Sequence, residues 1–164
     1  MQSEASSGRS EAVAPRPLAE LLQCPPVIGN LLNRAAVPFA FEPGARVFSQ
    51  FDLCRGLYLV ISGQFQRRTE RVETRLSLGP VRAGELVELA AALGRSRHTY
   101  TLSAVTPASV LMLPVEALHR VFEAHPPLRM QLLEELAREV SRAYEACTRG
   151  RFQKPGRHSS AVAE

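Results

Sequence analysis

The sequence predicts a mainly β fold: an antiparallel β-roll or jelly roll with flanking helices, one short inserted helix and a long C-terminal helix. Three observations predict it. Between Val37 and Pro114, short apolar runs alternate with Gly, Pro and charged residues, as seven or eight short strands would. On either side of that stretch the apolar residues recur at helical spacing. Inside it, one Ala- and Leu-rich segment, Glu85–Leu93 (ELVELAAAL), favours helix. At 164 residues the chain has room for one domain and short tails, and a hydrophobic content of 45% suffices for a core.

In chain order, residues 1–16 are rich in Ser, Ala and Glu without a period, and are expected to form a disordered arm. The domain is expected to span 17–148. Leu18, Leu21 and Leu22, then Val27, Ile28, Leu31 and Leu32, form two short helices split by Pro25-Pro26. The expected strands are Pro38–Phe41, Arg46–Phe48, Gly56–Ser62, Gln64–Arg67, Glu73–Leu78, Thr99–Val105 and Ser109–Leu113. Leu57-Tyr58-Leu59-Val60-Ile61 is apolar throughout, as a strand covered on both faces would be, and Ser62-Gly63 supplies the tight turn after it.

Pro114 suits the first turn of a helix whose apolar face is Val115, Leu118, Val121 and Phe122. A longer helix follows Pro126-Pro127 and is expected to run to about Thr148, with Gly150 ending it. On it Leu133, Leu136, Val140, Ala143 and Cys147 repeat at 3-4-3-4 spacing, the pattern of a dimer seam. Leu128 and Leu132 lie beside that seam, so the same face can instead cover its own domain. Residues 149–164 are expected to be a basic, flexible tail.

Composition narrows the chemistry. Asp52 is the only Asp, and the four His (98, 119, 125 and 158) are scattered, leaving few ways to build a catalytic triad or a metal site. No His-x-His pair marks a metal-dependent barrel of the cupin kind. Cys24, Cys54 and Cys147 form no CxxC pair and are expected to be reduced thiols. No enzyme and no metal centre are expected. The first twenty residues lack an apolar signal core, and no apolar run is long enough to span a bilayer, so a cytoplasmic location is expected. Arg149, Arg151, Lys154 and Arg157 raise nucleic-acid binding as an alternative; a solvated tail is the expectation.

Between Leu18 and Tyr144 the order of elements resembles the cyclic nucleotide-binding domain, the sensor of catabolite activator proteins and of kinase regulatory subunits. Pro43-Gly44 before Val47-Phe48 resembles the family's early turn and strand, and Asp52 stands where an acidic residue usually follows. Leu57-Tyr58-Leu59-Val60-Ile61-Ser62-Gly63 resembles its Leu-Tyr-x-(Val/Ile)-x-x-Gly strand. Gly84-Glu85 and Glu88-Leu89-Ala90 resemble the start and core of its phosphate-binding cassette, and Val110–Pro114 with Phe122 its last strand and following helix.

The resemblance implies a site for cyclic AMP or cyclic GMP formed by Val87, Glu88, Leu89, Ala90, Arg97 or His98, and Thr99. There a helix N-terminus and one Arg would hold the phosphate, and Glu88 the ribose hydroxyl. The cassette departs from the family's Phe-Gly-Glu-(Leu/Ile)-Ala … Arg-x-Ala-Thr. Leu86-Val87 replaces Phe-Gly, so a positive φ there would be penalised. Counting back from Ala104, His98 takes the Arg position, with Arg97 one residue earlier. Tyr100 replaces a small Ala; it blocks the phosphate if it points inward and is harmless if it points outward. Phe51 replaces a usual Gly before Asp52. The expected function is therefore a non-catalytic regulatory module with cyclic nucleotide binding weakened or lost, acting through the C-terminal helix as a homodimer or on a partner protein. A working cyclic nucleotide sensor is the alternative.

Overall fold

The structure is a computed structural model that describes residues 18–71 and 74–152. The expected arm, 1–16, lies outside the described residues, as does the expected tail beyond 152.

Among the described residues, eight strands form two antiparallel sheets. They are β1 (Val37–Phe41), β2 (Arg46–Phe48), β3 (Gly56–Ser62), β4 (Gln64–Arg71), β5 (Thr74–Arg82), β6 (Leu86–Val87), β7 (Thr101–Ala104) and β8 (Ala108–Pro114). One sheet has the order β1-β8-β3-β6 and the other β2-β7-β4-β5. Apart from the β4–β5 pair, consecutive strands switch sheets, which is how a roll closes over its own inner faces. The register is fixed by pairs such as Tyr58↔Met112 and Val60↔Val110 between β3 and β8, and Phe65↔Ala104 between β4 and β7.

The helices are α1 (Leu18–Leu21), α2 (Pro26–Ala35), α3 (Leu89–Gly94), α4 (Val115–Ala124) and α5 (Pro126–Phe152). Pro26 begins α2, where its missing N–H would be unpaired anyway. Helix α5 passes through Gly150 and ends at Phe152, so Gly150 does not terminate it, and 149–152 are helical rather than the start of a flexible tail. Gly disfavours helix by only about 1 kcal/mol, too little to stop a helix by itself.

The apolar run of β3 serves two cores. Leu57 and Leu59 pack with Leu18, Leu22, Leu32, Leu118, Phe122, Leu128 and Leu132 beneath the helices. Tyr58 and Val60 point the other way and pack between the sheets with Phe48, Phe65, Val81, Tyr100 and Leu102. Period-two alternation with both faces covered is why no polar residue interrupts the run. Val27 and Leu31, included in the predicted helix stripe, face solvent. Among the described residues, no helix is long and apolar enough to cross a membrane.

The tight turn at Gly63 is present, with φ +79. A Cβ there would lie 2.5 Å from both the Ala108 Cβ and the Pro107 carbonyl oxygen.

Candidate functional site

The segment between β5 and β7 carries the predicted site. Gly84 takes φ +89, and its N–H donates to the Val60 carbonyl at 2.8 Å; the Val60 N–H returns a bond to Glu85 at 3.0 Å. These bonds seat Leu86 and Val87 as a short strand on β3, opposite Leu59 and Tyr58. The inserted helix is therefore shorter than Glu85–Leu93, because edge pairing claims its first residues.

Val87 is buried strand, so the penalty expected for a β-branched residue at positive φ does not arise there. The left-handed turn falls one residue later, on Glu88, with φ 66 and ψ 35. Glu88 leads into α3, where Leu89 is buried and Ala90 exposed.

Glu88 is not a solvated carboxylate. Its side chain is 1% exposed, and one oxygen, Oε1, accepts from the Thr99 N–H at 3.0 Å and the Thr99 hydroxyl at 3.2 Å. Oε2 is enclosed without a hydrogen-bond partner. His98 lies beside it, also buried, with Nδ1 3.7 Å from Oε1 and no hydrogen bond. The His98 ring stacks on Phe48, centroids 3.7 Å apart and 5° from parallel.

Tyr100 points inward. Its phenol oxygen accepts the Glu88 N–H at 3.1 Å, and its ring lies 5.9 Å from Phe48. Burial raises the phenol pKa first, and the charge of Glu88 adds to it. The Arg67 guanidinium sits 5.7 Å from the Tyr100 ring centre, within cation–π range.

Arg97 turns the other way. Its guanidinium donates to the Phe51 carbonyl at 2.8 Å, and its backbone bridges to Leu53. The adjoining His98 is pinned by its N–H to the Asp52 carbonyl at 2.8 Å and by the Phe51 N–H to its own carbonyl at 2.9 Å. A slip that would carry Arg97 toward Glu88 has to break these bonds. Phe51 holds φ 73 and is 64% exposed, so the position keeps the left-handed backbone that a Gly would adopt freely. Arg97 and His98 instead share a cleft of about 350 Å³ with Asp52, Arg55 and Tyr58.

The structure thus brings Val87, Glu88, Leu89, His98 and Thr99 together, and leaves Ala90 and Arg97 at the surface. Sequence reasoning omitted Phe48, Tyr58 and Arg67 from the site. Alternation along β2, β3 and β4 gives the only hint that they face the same interior.

A second cavity, of about 330 Å³, lies between the roll and α5, walled by Arg67, Val81, Leu86, Leu132, Glu139 and Arg142 among others. On α5, Leu128 and Leu132 are buried and Leu136 packs against the same core. Leu133 is half-buried, Val140 is 61% exposed and Ala143 is exposed. The side chain of Cys147 lies outside the described residues. Among the described residues, no cluster of His, Cys, Asp and Glu is arranged to hold a metal.

A two-sheet roll with a short helix between its sixth and seventh strands and a long C-terminal helix defines the class as a β-roll domain with flanking helices. The chain belongs to the cyclic nucleotide-binding domain family, which it matches over residues 38–125. Solved structures share the fold. The catabolite activator protein of Thermus thermophilus matches with a TM-score of 0.68 and 23% identity, over 78% of this chain and 61% of that one. The chain therefore spans less than two thirds of that protein. The sensor domain of the transcriptional regulator DNR from Pseudomonas aeruginosa matches at 0.66 and 18%, over 90% of this chain and 96% of that one. The regulatory domain of Toxoplasma gondii PKA, solved with cAMP, matches at 0.63 and 16%, over 76% of this chain and 46% of that one. No curated protein matches the chain.

Proposed function

We propose that this chain is a non-catalytic regulatory module of the cyclic nucleotide-binding family in which nucleotide binding has been weakened or lost. The observation that carries this is the inward Tyr100, whose phenol takes the Glu88 N–H at the start of α3. Two effects add. The ring fills space that a small residue would leave open. The phenol occupies a backbone donor beside the cassette. Arg97, the Arg next to the cassette's Arg position, is held to the Phe51 carbonyl. Losing a charge-assisted bond alone removes roughly 1.5–3 kcal/mol, one to two decades of affinity.

Output would pass through α5. Its first half is anchored by Leu128 and Leu132, while residues 140–145 are exposed. Leu133, Leu136, Val140, Ala143 and Cys147 would form the seam with a second copy or a partner protein.

Isothermal titration with cyclic AMP and cyclic GMP tests the loss of binding. The expected result is no heat up to about 1 mM ligand, a bound of about −4 kcal/mol on the binding free energy. Saturable heat with a micromolar dissociation constant would restore the sensor function.

A further inference from the structure

We propose that the cleft between the β2–β3 loop and the segment before β7 is a second ligand site, shaped for a small monocarboxylate with an apolar body. It opens on the side to which Arg97 turns, away from the cassette interior, and does not depend on whether a cyclic nucleotide binds there.

At about 350 Å³ the cleft falls at the small end of the usual range for small-molecule sites. Two of the side chains that wall it are polar groups the fold buries and leaves unanswered. Tyr58 and His98 are each more than nine-tenths buried, and neither makes a side-chain hydrogen bond among the described residues. The Tyr58 hydroxyl is not enclosed by protein atoms, so it opens onto the cleft that its ring walls. A buried donor without a partner is costly, and such a donor beside a cleft marks where an acceptor from outside fits.

The charged walls say which acceptor. Arg55 makes no ion pair or side-chain hydrogen bond among the described residues. Arg97 gives one nitrogen to the Phe51 carbonyl and keeps further N–H groups for a ligand. Asp52 stands with them, joined to neither by an ion pair. Two cations against one anion leave a single net positive charge, which suits a carboxylate better than a phosphate dianion. Val47, Phe48 and Leu53 supply the apolar wall, and Leu53 is exposed, so an apolar ligand body would cover surface that water now meets.

His98 gives the site its consequence. Its N–H donates to the Asp52 carbonyl at 2.8 Å on the cleft side, and its ring stands 3.7 Å from the Glu88 carboxylate on the other. An occupant would therefore press on the residue that divides cleft from cassette, giving the module an effector route outside the cassette.

An amide chemical-shift titration of the full chain with benzoate, hexanoate, acetate and inorganic phosphate tests the site. Benzoate or hexanoate should shift Leu53, Arg97 and His98 saturably, with a dissociation constant of about 1 mM or below. Acetate, lacking the apolar body, and phosphate should bind about tenfold more weakly or worse. Arg55→Met and Tyr58→Phe should each weaken carboxylate binding by about tenfold. Tyr58→Phe should also leave the thermal midpoint unchanged or higher, because the hydroxyl it removes has no partner in the fold. If Tyr58→Phe fails to fold, Arg55→Met, at the surface, decides. No saturable shift with benzoate or hexanoate up to about 20 mM would overturn the proposal. Shifts untouched by Arg55→Met, or phosphate binding tighter than both carboxylates, would overturn it too. Shifts at Glu88 and Thr99 on adding cyclic AMP would instead overturn the loss of nucleotide binding, so the two failures are distinct.

Discussion

Glu88 and Phe51 hold left-handed backbone conformations on either side of the buried His98, at φ 66 and 73. Such residues cost on the order of 1–3 kcal/mol and persist where surroundings over-determine them. At Glu88 the surroundings are the Thr99 and Tyr100 bonds. At Phe51 they are backbone bonds and the Arg97 guanidinium on its carbonyl, and the residue is 64% exposed. Phe51→Gly should therefore raise stability by up to about 1 kcal/mol after glycine's extra chain entropy, read from the urea midpoint. Gly63→Ala should cost about 2 kcal/mol or more, from its positive φ and the clash at Ala108. Buried thiol and phenol groups, Tyr100 among them, set the alkaline limit. Burial pushes the Cys54 thiol from 9.0 up to about 11 and the Tyr58 phenol from 10.0 up to about 12. The fold favours their neutral forms, so the unfolded chain loses these protons first. Stability should hold below about pH 9 and fall as pH rises toward 12, read as a declining urea midpoint, with Cys54→Ala flattening the lower part. The sequence shows the replacements at Val87, Tyr100 and Phe51 but not their geometry. Tyr100 shares the parity of the buried Leu102 and Ala104, although the strand itself begins at Thr101 rather than Thr99.

At the scale of elements, periodicity and turn residues carried most of the information. Pro25-Pro26 divides α1 from α2, Ser62-Gly63 turns β3 into β4, and β3 spans the residues its apolar run predicts. The inserted helix was legible as helix, but not the strand pairing that takes Leu86 and Val87, because that pairing is supplied by β3 in space. The end of α5 was misplaced because a lone Gly weighs little against a helix already propagated over six turns. The stripe on α5 was visible, but not which residues cover the domain. Burial of Leu132 at 3% exposure and exposure of Val140 at 61% divide it. Leu132→Ala should thus cost about 2–5 kcal/mol, and Val140→Ala less than about 0.5 kcal/mol, by chemical denaturation. Equal losses at both positions would show that Val140 is covered in solution by another surface.

As a whole the molecule has three layers: helices, the β1-β8-β3-β6 sheet, and the β2-β7-β4-β5 sheet. The site lies where the inner core meets the start of the short α3, and α3 packs in turn with Leu128 and Leu132 of α5 in the other core. The family fold is kept, and the cassette's interior is occupied by the chain's own Tyr100, Glu88 and His98. An amide chemical-shift titration of the natural protein with cyclic AMP tests this most directly, because it reads the Glu88 and Thr99 N–H groups themselves. Neither resonance should move at about 1 mM ligand, a concentration that would half-saturate a site of only about −4 kcal/mol. Saturable shifts at both amides would contradict it, showing that Tyr100 yields its place to the nucleotide.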